Sequence, residues 1–244
     1  MRNLILILLS SIVLFSSCNI SENVAGSPKK TFDLEIEETI TGIELNLAGD
    51  VVIDQSDNQS ATVVTQQEVM DHLSYNVRNG ILFIDFEKNF KNYDFNLYLN
   101  VASLNRVNVN GSGKAVVYNL QSDELALKIA GSGDITVEDA SQVANTIDIK
   151  LDGSGNINVE KITTNTVTAT RSGSGDISLY GTNNALNAKL EGSGDLNADQ
   201  LISKDVSVTN AGSGNVHVHC DGVLYIRNSG SGTVKVEGDP TSIL

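Results

Sequence analysis

From residue 111 onward the tripeptide Gly-Ser-Gly recurs seven times, and this recurrence constrains the fold more than any other feature of the chain. Its glycines are Gly111 and Gly113, Gly131 and Gly133, Gly153 and Gly155, Gly173 and Gly175, Gly192 and Gly194, Gly212 and Gly214, and Gly230 and Gly232. Successive copies start 20, 22, 20, 19, 20 and 18 residues apart, and a degenerate copy stands earlier at Ala48-Gly49-Asp50. A period of this length marks a stacked-repeat architecture.

The flanks repeat in step with the turns. After them come Ile135/Val137, Ile157/Val159, Ile177/Leu179, Leu196/Ala198, Val216/Val218 and Val234/Val236, with polar residues between. Before them come Leu125/Leu127/Ile129, Ile147/Ile149/Leu151, Val167/Ala169, Leu186/Ala188/Leu190, Val206/Val208 and Leu224/Ile226. Alternation with period two is the signature of a half-buried strand. Each repeat thus reads as strand, tight turn, strand and a short connection carrying one apolar residue (Leu120, Ala140, Ile162, Leu201). One unit cannot bury its apolar face alone, and stacking buries a continuous column. The expected fold is all-β, a right-handed parallel β-helix (solenoid) of about seven to eight coils with an irregular β-rich N-terminal cap. Glycine suits the corner because it tolerates positive φ and has no Cβ to strike the coil above. A leucine-rich repeat would need a Leu/Asn consensus that is missing. The calcium-binding nonapeptide β-roll shares Gly-Asp turns but not the period.

The other end of the chain is a targeting signal. Arg2 precedes a nearly unbroken apolar run from Leu4 to Phe15, followed by Ser16-Ser17-Cys18. The run is too short to span a bilayer and has the length of a signal-peptide core. Small residues before Cys18 resemble the lipobox of bacterial lipoproteins, which makes Cys18 the expected lipidation site. The expected division is residues 1–17 as lipoprotein signal peptide and 18–30 as flexible tether. Residues 31–240 are expected to form a single β-helix domain, with first coils and a cap hairpin over 31–104 and the regular repeats over 105–237. With Cys18 lipidated, Cys220 is left as the only thiol, so no internal disulfide is expected.

The irregular segment carries its own signals. Phe32/Leu34/Ile36 and Ile43/Leu45/Leu47 alternate like the later strands, and Tyr75 to Asp85 reads as a hairpin about Asn79-Gly80, a type I′ turn signal. Seven of the twelve Phe and Tyr residues lie between Tyr75 and Tyr98. They are expected to cap the open end of the solenoid, with an aromatic ligand platform as the alternative.

Taken together, Asn79-Gly80-Ile81-Leu82-Phe83-Ile84, Leu97-Tyr98-Leu99-Asn100-Val101-Ala102-Ser103-Leu104 and the series of Gly-Ser-Gly-Asp/Asn turns resemble the bacterial family called putative auto-transporter adhesin, head GIN domain, over residues 32–237. The resemblance implies a parallel β-helix in the cell envelope, often as a lipoprotein. It brings no catalytic motif. The lipoprotein signal departs from a true auto-transporter, whose repeats are followed by a translocating barrel.

The residues that follow the turns are the main site candidates. Asp134, Asn156, Asp176, Asp195 and Asn215 should stack in one column. Either each accepts hydrogen bonds from turn amides, as Asx turns do, or the column forms a calcium edge. Asp176 beside Asp195 places like charges one coil apart and needs compensation. His217 and His219 point outward together beside the columns of Asp199 and Glu237, a zinc or copper candidate against an ordinary polar face. Arg171, Asn210 and Asn228 take the last inward position before their turns, where their head groups are expected to reach water past the corner.

A net charge of −14 excludes nucleic acid as a partner. Pectate-lyase-like β-helices resemble the chain in architecture only, since a basic residue beside a carboxylate cluster in a walled groove is not evident and Trp is absent. The expectation is a non-enzymatic cell-envelope lipoprotein, anchored through Cys18 at the outer membrane, with an adhesin-like or structural role and no cofactor beyond calcium. A carbohydrate-binding or carbohydrate-acting β-helix and an envelope divalent-metal-binding protein are the alternatives, with a protein or glycan ligand in either case.

Overall fold

A computed structural model describes residues 21–243. The signal segment and Cys18 lie outside the described residues. The chain winds as a parallel β-helix, and its register reproduces the spacing of the turns. Val107 pairs with Leu127, Ile147 with Val167, Ala169 with Ala188, and Val206 with Leu224. The strands that run into the turns form one sheet, the entry face. Those that leave the turns form the exit face. Ile, Leu and Val from both faces fill the interior, most of them fully buried. Burying one such side chain is worth about 1.5–3 kcal/mol.

The bend owes its glycines to packing more than to φ. The Ser amides continue the parallel ladder through the turn, as Ser154 N donates to Gly131 O at 3.0 Å and Ser174 N to Gly153 O at 3.0 Å. A Cβ on any of the fourteen turn glycines would lie 1.6–2.2 Å from a carbonyl oxygen of the layer beneath. Among the fourteen, only Gly192 has a positive φ, at 87°. Of the two expected reasons for glycine, the missing Cβ therefore holds at every turn and the left-handed backbone at one.

The connection after each exit strand is itself a strand and makes a third side. Ile157–Arg171, Ile177–Leu190 and Leu196–Asn210 run unbroken through it, with Ile162 beside Gly181 and Gly181 beside Leu201. The next inward position is polar: Thr164, Asn183, Ser203 and then Cys220 follow one another. Asn183 Nδ2 donates to Ala185 O at 2.7 Å and Ser203 Oγ to Leu201 O at 3.3 Å, so part of this column is satisfied within its own strand. Cys220 is a buried free thiol, with Sγ 3.5 Å from the carbonyls of Lys204 and Val223.

The N-terminal layers stack out of sequence order. Gly42–Leu45 and Asp50–Gln55 form the layer beneath the first Gly-Ser-Gly coil, and the degenerate Gly49 sits under Gly113. Ile81–Phe86 and Phe95–Val101, later in sequence, lie outside that layer. The expected hairpin joins Leu73–Arg78 to Ile81–Phe86, with φ of 52° at Asn79 and 77° at Gly80. Within the stretch expected as tether, Glu22–Asn23 pair with Phe90–Lys91 and Val24 is buried, so the packed part reaches back to Glu22.

Candidate functional site

The column after the turns is a hydrogen-bonded ladder between coils. Asp134 Oδ1 accepts from Asn156 N at 2.7 Å, Asn156 Oδ1 from Asp176 N at 3.0 Å, and Asp176 Oδ1 from Asp195 N at 2.7 Å. Asp195 Oδ1 accepts from Asn215 N at 2.6 Å, and Asn215 Oδ1 from Thr233 N at 3.1 Å. Each side chain thus caps the amide of the equivalent residue one coil on, rather than an amide of its own turn. An amide oxygen does this as well as a carboxylate, which explains why Asp and Asn interchange along the column.

The like charges of Asp176 and Asp195 are compensated from inside. Arg171 is 0% exposed, which corrects the expectation that its head group reaches water. Its Nε donates to Glu191 O at 3.4 Å, and its guanidinium extends toward the Gly214 turn. Burial holds its pKa below the ordinary value, with Asp176 and Asp195 across the turn backbone opposing that pull. Asn210 is also fully buried and serves its turn, with Nδ2 donating to Gly214 O at 3.2 Å and Oδ1 accepting from Gly212 N at 3.2 Å. Asn228, in the last coil, is exposed and makes the same bond to Gly232 O at 2.8 Å.

His217 and His219 do lie side by side on the exit face, half-buried. His219 Nε2 is 3.2 Å from Asp221 Oδ1, a residue outside the expected ligand set. Glu237 is the register partner of His219, but the bulge at 199–201 sets His219 beside Ile202 instead of Asp199. Lys235 stands next to His217, so the column presents an ammonium where a further ligand would be needed. Among the described residues, no three His, Cys, Asp or Glu side chains converge to hold a metal ion.

The aromatic segment is packed as a cap. Phe86 meets Phe90, Tyr93 and Phe95 edge to face at 5.2–5.7 Å between ring centroids. Phe90 and Phe95 are buried, and desolvation raises the Tyr93 pKa.

The feature not anticipated from the sequence is on the outside of the entry face. Three open hollows of about 600, 400 and 280 Å3 adjoin one another on it, the first beside the second over the same coils and the third continuing the second along the stack. The first two share Arg106, Ala126 and Asp148; the second and third share Thr168 and Thr170. Two adjacent outward columns line the second and third, while the first also takes in Ser122, Asp123, Glu124 and Asn145. One carries Arg106, Ala126, Asp148, Thr168, Asn187 and Ser207; the other carries Asn108, Lys128, Lys150, Thr170, Lys189 and Thr209. Small side chains at Ala126 and along the Thr/Ser stretch lower the surface between longer Lys and Arg stems. Register through each Gly-Ser-Gly turn decides these columns, so the signal was present in the aligned flanks, in their outward positions.

The family described as "Putative auto-transporter adhesin, head GIN domain" is matched twice, over residues 39–146 and 139–240. No curated protein matches the sequence. The fold is similar to that of a "Putative lipid binding protein" from Parabacteroides distasonis (TM-score 0.78, 21% identity, 92% of this chain and 95% of that one). A "putative adhesin" from the same organism is similar at TM-score 0.73 and 21% identity, over 92% and 98% of the two chains. Another from Parabacteroides merdae is similar at 0.71 and 18%, over 91% and 99%.

Proposed function

We propose, on the premise that the chain belongs to the putative auto-transporter adhesin, head GIN domain family, that it is a non-enzymatic cell-envelope lipoprotein whose entry face makes an adhesin-like contact with an extended polar polymer, a glycan chain. The observation that carries this reading is the run of two adjoining hollows along the entry face from Arg106 to Thr209. It is open, follows the long axis of a rigid stack, and repeats hydrogen-bond donors at the spacing of the strands, about 4.8 Å. A linear ligand can lie along such a surface and meet the same chemistry coil after coil.

One carboxylate beside this face, that of Asp152, is tuned away from acid catalysis. A general acid needs a raised pKa. Burial pulls Asp152 up, but the Ser172 hydroxyl and the Lys150 ammonium outweigh it and hold the group below its ordinary value. Lys189 pairs with Glu191 at 3.3 Å. A bound acyl chain, as the name of one structural relative suggests for that protein, would need an apolar cavity, whereas this interior is filled by side chains.

A glycan array read with and without calcium tests the proposal. It predicts retention of extended glycans irrespective of calcium; turnover of an acidic polysaccharide would overturn the non-enzymatic reading. Envelope anchoring has its own check. Labelled fatty acid should enter the wild-type chain in a bacterial host and be absent from Cys18→Ser.

A further inference from the structure

The two ends of the stack present different edges. At the N-terminal end the outermost exit-face strand, Lys29–Asp33, begins with the adjacent like charges Lys29 and Lys30, and the aromatic cluster closes the interior. At the other end the outermost exit-face strand is Val234–Glu237. Among the described residues it pairs on one side only, with Val216–Cys220. Val216 N donates to Thr233 O at 2.8 Å. In a parallel ladder the groups facing one neighbour belong to alternate residues. Thr233, Lys235 and Glu237 therefore address Val216–Cys220, while Val234 and Val236 aim their N–H and C=O groups at the open edge. The side chains of Val234 and Val236 are only half-buried, where their counterparts Val216 and Val218 are 0% exposed. Nearby, Ile243 is 71% exposed.

We infer that this edge pairs with the same edge of a second copy of the chain, the two Val234–Glu237 strands running antiparallel about a twofold axis at Val236. An isologous contact must be self-complementary. Centring on Val236 meets that condition twice. The two Val236 residues become a hydrogen-bonded pair that exchanges the backbone groups left open. Lys235 of each copy then faces Glu237 of the other, in the closer, non-hydrogen-bonded position where opposite charges attract. Within one copy Lys235 Nζ and Glu237 Oε1 are 2.6 Å apart on the same outward face, so both ends of the cross-strand pairs are already in place. The same pairing gives the half-buried Val234 and Val236 a covering layer. The lysine pair on Lys29–Asp33 disfavours the equivalent contact at the opposite end.

Cross-linking tests the register. Lys235→Cys and Glu237→Cys chains, full length in detergent, are mixed and oxidised with copper phenanthroline. Two thiols then lose two protons, and two electrons pass to copper(II) as the disulfide forms. Cys18 and Cys220 are common to every sample, so the comparison isolates the new thiols. The mixture should yield at least tenfold more disulfide-linked dimer than either variant alone. Sedimentation equilibrium supplies a second reading that needs no cysteine. Lys235→Glu should raise the dimer dissociation constant at least tenfold, and Lys235→Glu with Glu237→Lys should return it to within about threefold of wild type. A wild-type chain that stays monomeric at every concentration, or equal cross-linking by the single variants, would overturn the inference.

Discussion

Alanine at Gly175 would place its Cβ 1.7 Å from the Gly155 carbonyl oxygen, and neither backbone can yield without breaking the ladder through the turn. Overpacking of this kind costs about 1–3 kcal/mol. Gly175→Ala should therefore lower the urea midpoint markedly, while Ser174→Ala, at an exposed position between two such glycines, should leave it nearly unchanged. Arg171 makes a second prediction at this scale. With its guanidinium behind Asp176 and Asp195, millimolar calcium should raise the wild-type melting temperature by less than about 2 °C. In Arg171→Leu the inner cation is gone and calcium should raise it more. A large calcium effect on the wild type would restore the column as an ion site. Asp139 gives the pH dependence. The Ser141 hydroxyl, then the Ser141 amide and Lys161, hold its pKa at about 2, below the ordinary 3.8. A depressed folded-state value stabilises above the unfolded value and is lost as pH falls through the folded one. Asp139→Asn should thus be less stable than wild type near neutral pH, and the difference should vanish between about pH 4 and pH 2 in acid titrations followed by circular dichroism.

The elements were legible to the extent that one period governed them. Entry and exit strands follow from the alternation around Gly-Ser-Gly, and the hairpin at Asn79-Gly80 from its turn residues. The third side was not, because its inward residues break the apolar code. Ile162/Thr164, Gly181/Asn183 and Leu201/Ser203 keep period two, but half of each pair is polar and reads as a loop. Arg171 was misplaced for the same kind of reason. Its position in the inward column was plain, but the electrostatic influence of Asp176 in its own turn and Asp195 in the next, acting across the turn backbone, is one that no local pattern records. The out-of-order N-terminal layers are a topological choice made by which edge of Gly42–Leu45 each later strand finds. Stability should follow the same layering. Hydrogen exchange should be slowest in Ile157–Arg171, Ile177–Leu190 and Leu196–Asn210, paired on both sides, and fastest in the short terminal strand Ser242–Ile243. Uniform protection across the stack would contradict this.

For the molecule as a whole, the repeat does two jobs with one register. Inward residues make a continuous core, and outward residues, carried along by the same pairing, make columns that run the length of the stack. The turns are architectural, and the Asp/Asn ladder is built into them, since one side-chain oxygen of each residue is engaged by the backbone of the next coil. The surface proposed for recognition is the entry face, whose two columns intersperse small side chains with Arg106, Lys128, Lys150 and Lys189 and with the single carboxylate of Asp148. Binding of an array-selected glycan to Arg106→Ser/Lys128→Ser/Lys150→Ser, measured against wild type and against Thr136→Ala/Asn158→Ala/Ser178→Ala on the exit face, tests this most directly. The account predicts at least a tenfold loss of affinity for the entry-face variant at unchanged melting temperature, with the exit-face variant binding like wild type. Equal affinity in all three, or loss only from the exit face, would contradict it.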